Sequence, residues 1–376
     1  MEHNAPLNEI ARLFLKLGII GFGGPAAHIA MMQHEVVTKR KWLSEQHFLD
    51  LMGATNLIPG PNSTEMAIHI GREKGGYKGL ILAGTCFILP AVLVTGIFAY
   101  LYRQYGQVPE VQPFIYGIKP AIIAIILAAI FPLAKKSLKS AGLILTGLVA
   151  LIGSLYGIHE IYLMFGAGFL ASGAAYLDNR KQQNLNVFIP LALFPVANSA
   201  LLTETNARLF LIFLKIGAIL YGSGYALFAF LDTELVSAGL LTKQQLIDAI
   251  AVGQITPGPV FSSVTFIGYQ INEWTAAIIS TIAIFLPSFI FVALLNPIVK
   301  KMRDSKLFSA FLDAVNVVSV AIITAVCIEM GKETITDWRT ILIAVISMAV
   351  LLGYKKLNSA FVVLGGSLMG YLLTLM

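Results

Sequence analysis

Charge is what this chain has least of. Only 12% of its 376 residues are Asp, Glu, Lys or Arg, against 57% hydrophobic, and the mean hydropathy is +0.79. A soluble domain carries about 25% charged residues, so this chain cannot cover itself with solvated groups. Cysteine is nearly missing. Cys86 and Cys327 lie in apolar runs at points that do not correspond, which argues against a structural disulfide or a thiolate metal site. A secretory leader is not expected, because Glu2, Glu9, Arg12 and Lys16 interrupt what would be its apolar core. No basic stripe with interleaved aromatics is present, so the net charge of +6 reflects basic loops and not a nucleic-acid partner. The constellations of soluble enzymes are also absent: there is no HExxH, GxSxG or Walker loop, and His34-Glu35 lacks a second His. No enzyme activity, cofactor or metal is expected.

Long apolar runs are abundant. The near-uncharged stretches 79–102, 114–134, 140–156, 161–177, 276–295, 317–328, 340–353 and 357–376 approach or exceed the roughly 17–25 residues that cross a bilayer. This is the pattern of a polytopic helical membrane protein embedded in lipid.

The chain also says nearly the same thing twice. FLKLGIIGFGG at 14–24 returns as FLKIGAILYGS at 213–223. The spacing from Asp50 to Pro59-Gly60-Pro61 returns from Asp248 to Pro257-Gly258-Pro259, and apolar runs end in Leu-Pro at Pro90 and Pro287. A first repeat over 1–180, a connector over 181–205 and a second repeat over 206–376 follow. Cytoplasmic loops are enriched in Lys and Arg. The first copy is basic at Lys39-Arg40-Lys41, at Arg72, Lys74 and Lys78, and at Lys135, Lys136 and Lys139, where the second is nearly stripped of basic charge. The second is basic instead at Lys300, Lys301, Arg303 and Lys306 and at Lys355-Lys356, where the first has little. The bias swaps ends, as an inverted repeat requires, and inversion demands that the connector cross the membrane.

The expected fold is therefore all-α: two inverted-topology repeats, each with two broken or re-entrant helical segments and about four spanning helices, joined by a connector helix. In the first copy the broken segments are 8–38 and 45–71, bent at Gly23-Gly24-Pro25 and Pro59-Gly60-Pro61. The spanning helices are 77–102, 114–134, 139–156 and 159–178, with a cytoplasmic N-terminus. Whether the broken segments re-enter or cross as kinked helices stays open at this point.

Such breaks carry the candidate chemistry. Proline removes an amide donor and disfavours helix before it, and hydrocarbon tolerates unpaired backbone only against protein or a wet cavity. After Pro61 comes Asn62-Ser63-Thr64-Glu65, a helix start whose free amides and dipole suit an anion. The second copy offers Ser262 and Ser263 after Pro259. The clusters around Gly23-Gly24 and Gly222-Ser223 permit close backbone approach, although small residues also pack helices. Lys16 and Lys215 sit at equivalent points in apolar runs and could together match a dianion, or could snorkel to an interface. Glu35 and Glu234 are equivalent, as are Asp50 and Asp248. Glu65, His28 and His69 occur in the first copy alone. Glu65, Glu35, Glu234 and His28 are candidates to carry a coupled proton. Lys119 and Glu329 read as helix-end residues.

At these residues the chain resembles the chromate ion transporter family in its long, two-domain form. The resemblance rests on Phe14-Leu15-Lys16 with Gly18, on Gly21-Phe22-Gly23-Gly24-Pro25, on Trp42-Leu43 and Asp50, and on Pro59-Gly60-Pro61-Asn62. It extends to Gly222-Ser223-Gly224-Tyr225 and Pro257-Gly258-Pro259 in the second half. It implies an inner-membrane protein that exports chromate and confers resistance. Two departures, Gly-Ser-Gly for Gly-Gly-Pro and Val260 for Asn after the second Pro-Gly-Pro, make the half-sites unequal. The expected function is secondary active transport of an oxyanion dianion, chromate foremost. A sulfate or other oxyanion carrier, a channel, and a structural membrane protein remain alternatives, and a homodimer is left open.

Overall fold

Proline and glycine punctuate the helices at matching places in both halves. A computed structural model describes residues 5–22, 24–179, 205–221, 224–303, 305–354 and 357–375. In the first copy these are α1 (Leu7–Ile20), α2 (Gly24–Gln33) running into a widened π turn at His34–Lys39, α3 (Glu45–Thr55), α4 (Asn62–Tyr105), α5 (Gln112–Ser137), α6 (Ala141–Leu155) and α7 (Glu160–Asn179). In the second they are α8 (Thr205–Ile219), the short α9 (Leu227–Leu231) with a π turn at Asp232–Val236, α10 (Lys243–Ile255), α11 (Ser263–Arg303), α12 (Lys306–Thr334), α13 (Trp338–Gly353) and α14 (Ser359–Thr374). No strand occurs among the described residues. The order repeats element for element.

The longest helices are hairpins. α4 reverses at Gly75 (φ −143, ψ 15) and Gly76 (φ 58, ψ −149). α11 reverses at Asn272 (φ −149, ψ 49) and Glu273 (φ 55, ψ −152), with nearly the same backbone. Each therefore has a short inbound arm and a long return arm. The Thr265 and Thr281 hydroxyls bond at 2.7 Å across the second hairpin, one on each arm.

Ion pairs show that the broken segments re-enter. His47, at the start of α3, lies 3.4 Å from Glu73, at the end of the α4 inbound arm. Arg40, past the first π turn, lies 3.3 Å from Glu9 at the start of α1. Both broken segments thus begin and finish at one end of the molecule, with Pro59-Gly60-Pro61 and the residues after Ile20 at their tips. That end carries Lys39, Arg40, Lys41, Arg72, Lys74 and Lys78, and is called the basic end below.

The second copy is upside down. Its start and its turn meet where Asn272 donates to Asn206 over 3.0 Å. The far end of the first copy's return arm reaches this place, because Arg103 pairs with Glu273 at 3.3 Å. Reciprocally, Arg72 at the basic end donates to the carbonyls of Val292 and, over 2.7 Å, Ala293, late in the second return arm. A return arm therefore connects the base of its own copy to the base of the other. The opposite end holds Glu160, Asp232, Glu234, Glu273, Glu329 and Asp337, and is called the acidic end.

The halves also interlock. α5 packs on α13 and α14 of the second copy, α12 packs on α6 and α7 of the first, and α5 packs on α12. Five described helices are long and apolar enough to cross a membrane, with the apolar helices Ala141–Leu155, Trp338–Gly353 and Ser359–Thr374 beside them. Large apolar side chains such as Leu93, Ile97, Leu148, Leu170 and Phe361 stay exposed, which suits lipid as solvent. This is a multi-pass membrane protein. The spanning connector expected over 181–205 lies, apart from Thr205, outside the described residues. The segments that flank it end on opposite sides: Ser172 bonds to the carbonyl of Leu307 beside the basic end, and Asn206 is at the acidic end.

Candidate functional site

The two sets of tips meet in the middle. The Gly60 amide donates to the carbonyl of Leu220 at 2.8 Å, and the Gly258 amide donates to that of Gly21 at 2.6 Å. These bonds are repeat-equivalent, since Leu220 corresponds to Gly21 and Gly258 to Gly60. Each Pro-Gly-Pro break is thereby pinned to the end of the first helix of the other copy. Backbone groups freed by proline find one another instead of facing hydrocarbon.

Polar side chains gather at this crossing. Thr95, on the α4 return arm, donates to Ser262 at 3.3 Å. Ser288, on the α11 return arm, donates to Glu65 at 3.3 Å. His28 donates from Nε2 to Gly21 O at 2.8 Å, so that carbonyl accepts two bonds. Ser63, Thr64, Glu65, Ser262, Ser263 and Ser288 are all buried. Thr64 Oγ1, Glu65 Oε2 and Ser263 Oγ lack hydrogen-bond partners. Buried polar atoms without partners are uncommon and need an explanation.

Both inbound arms begin here, so their N-terminal amides and positive dipole ends point at one region. The first starts at Asn62 itself. No side chain caps it, and Pro61 takes the cap position. The expected polar cap is replaced by an Asn62-to-Asn56 side-chain bond of 2.9 Å. The second starts with a single 3-10 turn, Val260–Ser262. The arrangement offers amides and hydroxyls, donors that can hold an oxyanion without a metal, beside one carboxyl.

The lysines stand apart from it. Lys16 Nζ lies 2.8 Å from Glu35, with Arg40 also on that carboxylate, in a cluster toward the basic end. Lys215 bonds to Glu234, which lies 3.3 Å from His159, in the matching cluster toward the acidic end. The structure pairs each lysine with the equivalent glutamate of its own copy and does not bring the two lysines together. Glu35 and Glu234 both lie on the π turns, whose wider pitch the sequence pattern did not reveal. The Lys16 hydrogen bond foremost, then Arg40, holds the Glu35 carboxyl at about 2 against the opposing effect of burial. Gly24 adopts φ +78 at the first tip. Gly23, Gly222 and Ser223 lie outside the described residues.

Sequence reasoning missed a cluster built around Asp248. Lys119 is not at a helix end. It lies inside α5, 4.0 Å from Asp248. Tyr102 donates to the same carboxylate at 2.6 Å, and Gln244 reaches both its oxygens at 3.2 Å. The only sequence signal was one Lys in an otherwise uncharged run. Glu329 does lie near the end of α12, and it pairs with Lys243 at 3.4 Å.

The chromate transporter family model matches residues 8–172 and again 207–371. The chain belongs to the chromate transporter family. A chromate transport protein of Cupriavidus metallidurans is 32% identical, covering 98% of this chain and 94% of its own length. A probable chromate transport protein of Synechococcus elongatus is 30% identical over 91% of this chain and 89% of itself. A chromate transport protein of Pseudomonas aeruginosa is 29% identical over 96% and 90%. No solved structure matches the chain. The family places the protein among transporters, and the two matched stretches fall on the two copies described above.

Proposed function

We propose that this protein is a secondary active transporter that carries chromate out of the cell. The observation that carries the reading is the reciprocal pair of bonds from Gly60 to Leu220 and from Gly258 to Gly21, which sets two helix breaks of opposite orientation around one polar cradle. The amides following Pro61 and Pro259, with Asn62, Ser63, Thr64, Ser262 and Ser263, bind the tetrahedral dianion there. Lys16 and Lys215 stand toward the two mouths of the path and draw anions in. The inverted copies rock against one another, exposing the cradle to each side in turn. The basic end faces the cytoplasm, in keeping with the loop-charge rule, so the N-terminus is cytoplasmic and the protein sits in the inner membrane. A dianion leaving a negative interior gains roughly 4.6 kcal/mol per 100 mV, enough to drive export without a nucleotide. Sulfate is close in shape and charge and competes.

The test is uptake of labelled chromate into inside-out vesicles with an imposed potential, repeated with excess sulfate or molybdate. Potential-driven uptake that both Gly60→Ala and Gly258→Ala abolish supports the reading. Absence of uptake in vesicles containing the inserted wild-type protein overturns it.

A further inference from the structure

Glu65 is the one acid at the crossing among the described residues. It is fully buried on the first turns of the α4 inbound arm. Its Oε1 takes a 3.3 Å bond from Ser288 of the other copy, and its Oε2 has no partner. The carboxyl lies against the break itself: a Cβ at Gly60 would sit 2.3 Å from Glu65 Oε1 and 2.6 Å from Ser288 Oγ. With φ +134, Gly60 leaves room that another residue would fill. The side chain thus curls back to where the inbound arm's free amides point, and its carboxyl occupies a place suited to an anion.

No cation compensates it. No ion pair reaches Glu65 among the described residues, and its hydrogen bond comes from Ser288. His69, one turn along the same arm, has neither ring nitrogen bonded. Arg72, next along, is engaged by the carbonyls of Val292 and Ala293. From the end of α8, Tyr221 lies within electrostatic reach, with its carbonyl bonded to Ser319 of α12. Among the described side chains of the α11 return arm, Ser288 bonds to it. The second copy has Ser263 at the position of Glu65, so the device is built once.

A buried carboxylate and a dianion cannot share a cradle that lacks a compensating charge, since like charges at close range in a low dielectric repel strongly. A protonated carboxyl can share it, because its O–H becomes a donor to an anion oxygen. We propose that Glu65 is a proton-binding site linked to the anion site, so that the oxyanion binds together with one proton held on Glu65. Anion and proton then travel in the same direction. By linkage, each raises the affinity for the other equally. The step is a proton transfer from solvent to a carboxylate oxygen, with no other bond made or broken. The dianion and proton together export one net negative charge, so the membrane potential still favours export. This inference rests on the reading of the cradle as an oxyanion site.

The experiment measures binding of sulfate, whose charge is constant across the range, to purified wild-type protein between about pH 6 and pH 8. Proton uptake is followed with an indicator dye in weakly buffered solution. Chromate binding near the alkaline limit is measured in parallel. One linked proton makes apparent sulfate affinity rise toward about tenfold per unit fall in pH, with up to one proton taken up per anion. Glu65→Gln, a permanent mimic of the protonated form, is expected to bind sulfate with no pH dependence and no proton uptake. Glu65→Asp is expected to keep both. Wild-type binding that is independent of pH, or proton uptake that persists in Glu65→Gln, overturns the proposal. Failure of wild-type protein to bind either anion instead overturns the assignment of the cradle.

Discussion

Tyr102 of the first copy donates a 2.6 Å hydrogen bond to Asp248 of the second. With Lys119 at 4.0 Å, the contact ties two helices of one copy to the re-entrant α10 of the other. The equivalent place near the basic end is different. Asp248 is 4% exposed whereas Asp50 is half-buried, and Lys119 has Asn316 as its counterpart. Near the cradle, Asn56 is exposed and its equivalent Gln254 is buried. The polar residues on the acidic side of the crossing are thus more deeply buried than their counterparts on the basic side. A hydrogen bond to a charged group contributes about 1.5–3 kcal/mol. Tyr102→Phe is therefore expected to speed labelling of a cysteine at Gln254 by about tenfold or more from the acidic side. An unchanged labelling rate would show that Tyr102 does not hold that side shut.

Glu273 sits at φ 55, ψ −152, a region that glycine alone occupies comfortably, and its counterpart is Gly76. Such strain costs on the order of 1–3 kcal/mol. The Arg103 partner offsets little, since Glu273 is 65% exposed there. Glu273→Gly is expected to raise the thermal unfolding midpoint of the detergent-solubilised protein, and a lowered midpoint would show that the ion pair outweighs the backbone.

The Glu35 cluster gives a pH signature. Its carboxyl titrates at about 2, below the ordinary 4.5, with the Lys16 bond as the main cause. A depressed folded-state value stabilises the protein above the ordinary value, and that contribution is lost as pH falls through the lower one. Glu35→Gln is expected to be less stable than wild type at neutral pH. The difference should shrink as the pH is lowered from about 4.5 toward 2, followed by chemical denaturation. A gap that stays constant across that window would place the stabilisation elsewhere.

Gly60→Ala puts a methyl into the Glu65 carboxyl, and Gly258→Ala puts one 3.0 Å from Ala91 Cβ, each at a positive φ. Both variants are expected to insert in the membrane and to lose transport. Normal vesicle uptake by either would remove the crossing from the pathway.

Cysteines at Lys136 and Glu333 probe the inversion, since both are exposed and close equivalent helices, α5 and α12. Impermeant reagents are expected to label them from opposite sides, and labelling from one side would contradict the inverted arrangement.

Much of this is legible in the sequence. Repeated Lys-Gly and Pro-Gly-Pro strings gave the duplication, and the swapped basic loops gave the inversion, because both are local features of composition. Pairing was not readable. Lys16 and Glu35 are nineteen positions apart, and the bond between them depends on a re-entrant return that the sequence left open between two geometries. Lys119 looked terminal because its partner, Asp248, comes from the other half of the chain. The reversal at Asn272-Glu273 carried no glycine to announce it, and the π turns bearing Glu35 and Glu234 have no compositional mark at all.

The interlocking of α5 with α13 and α14 bears on ancestry. Gly117 lies so close to Gly366 and Gly370 that no side chain fits between them, so residues 1–180 alone would leave that face without a partner. A half-length ancestor with this architecture could not have been a monomer of fixed orientation. It would have had to enter the membrane both ways up and pair with its own inverted twin. Two such units in one chain have their opposite orientations fixed by the covalent link, and the halves are free to differ, as Glu65 and Ser263 do at equivalent positions.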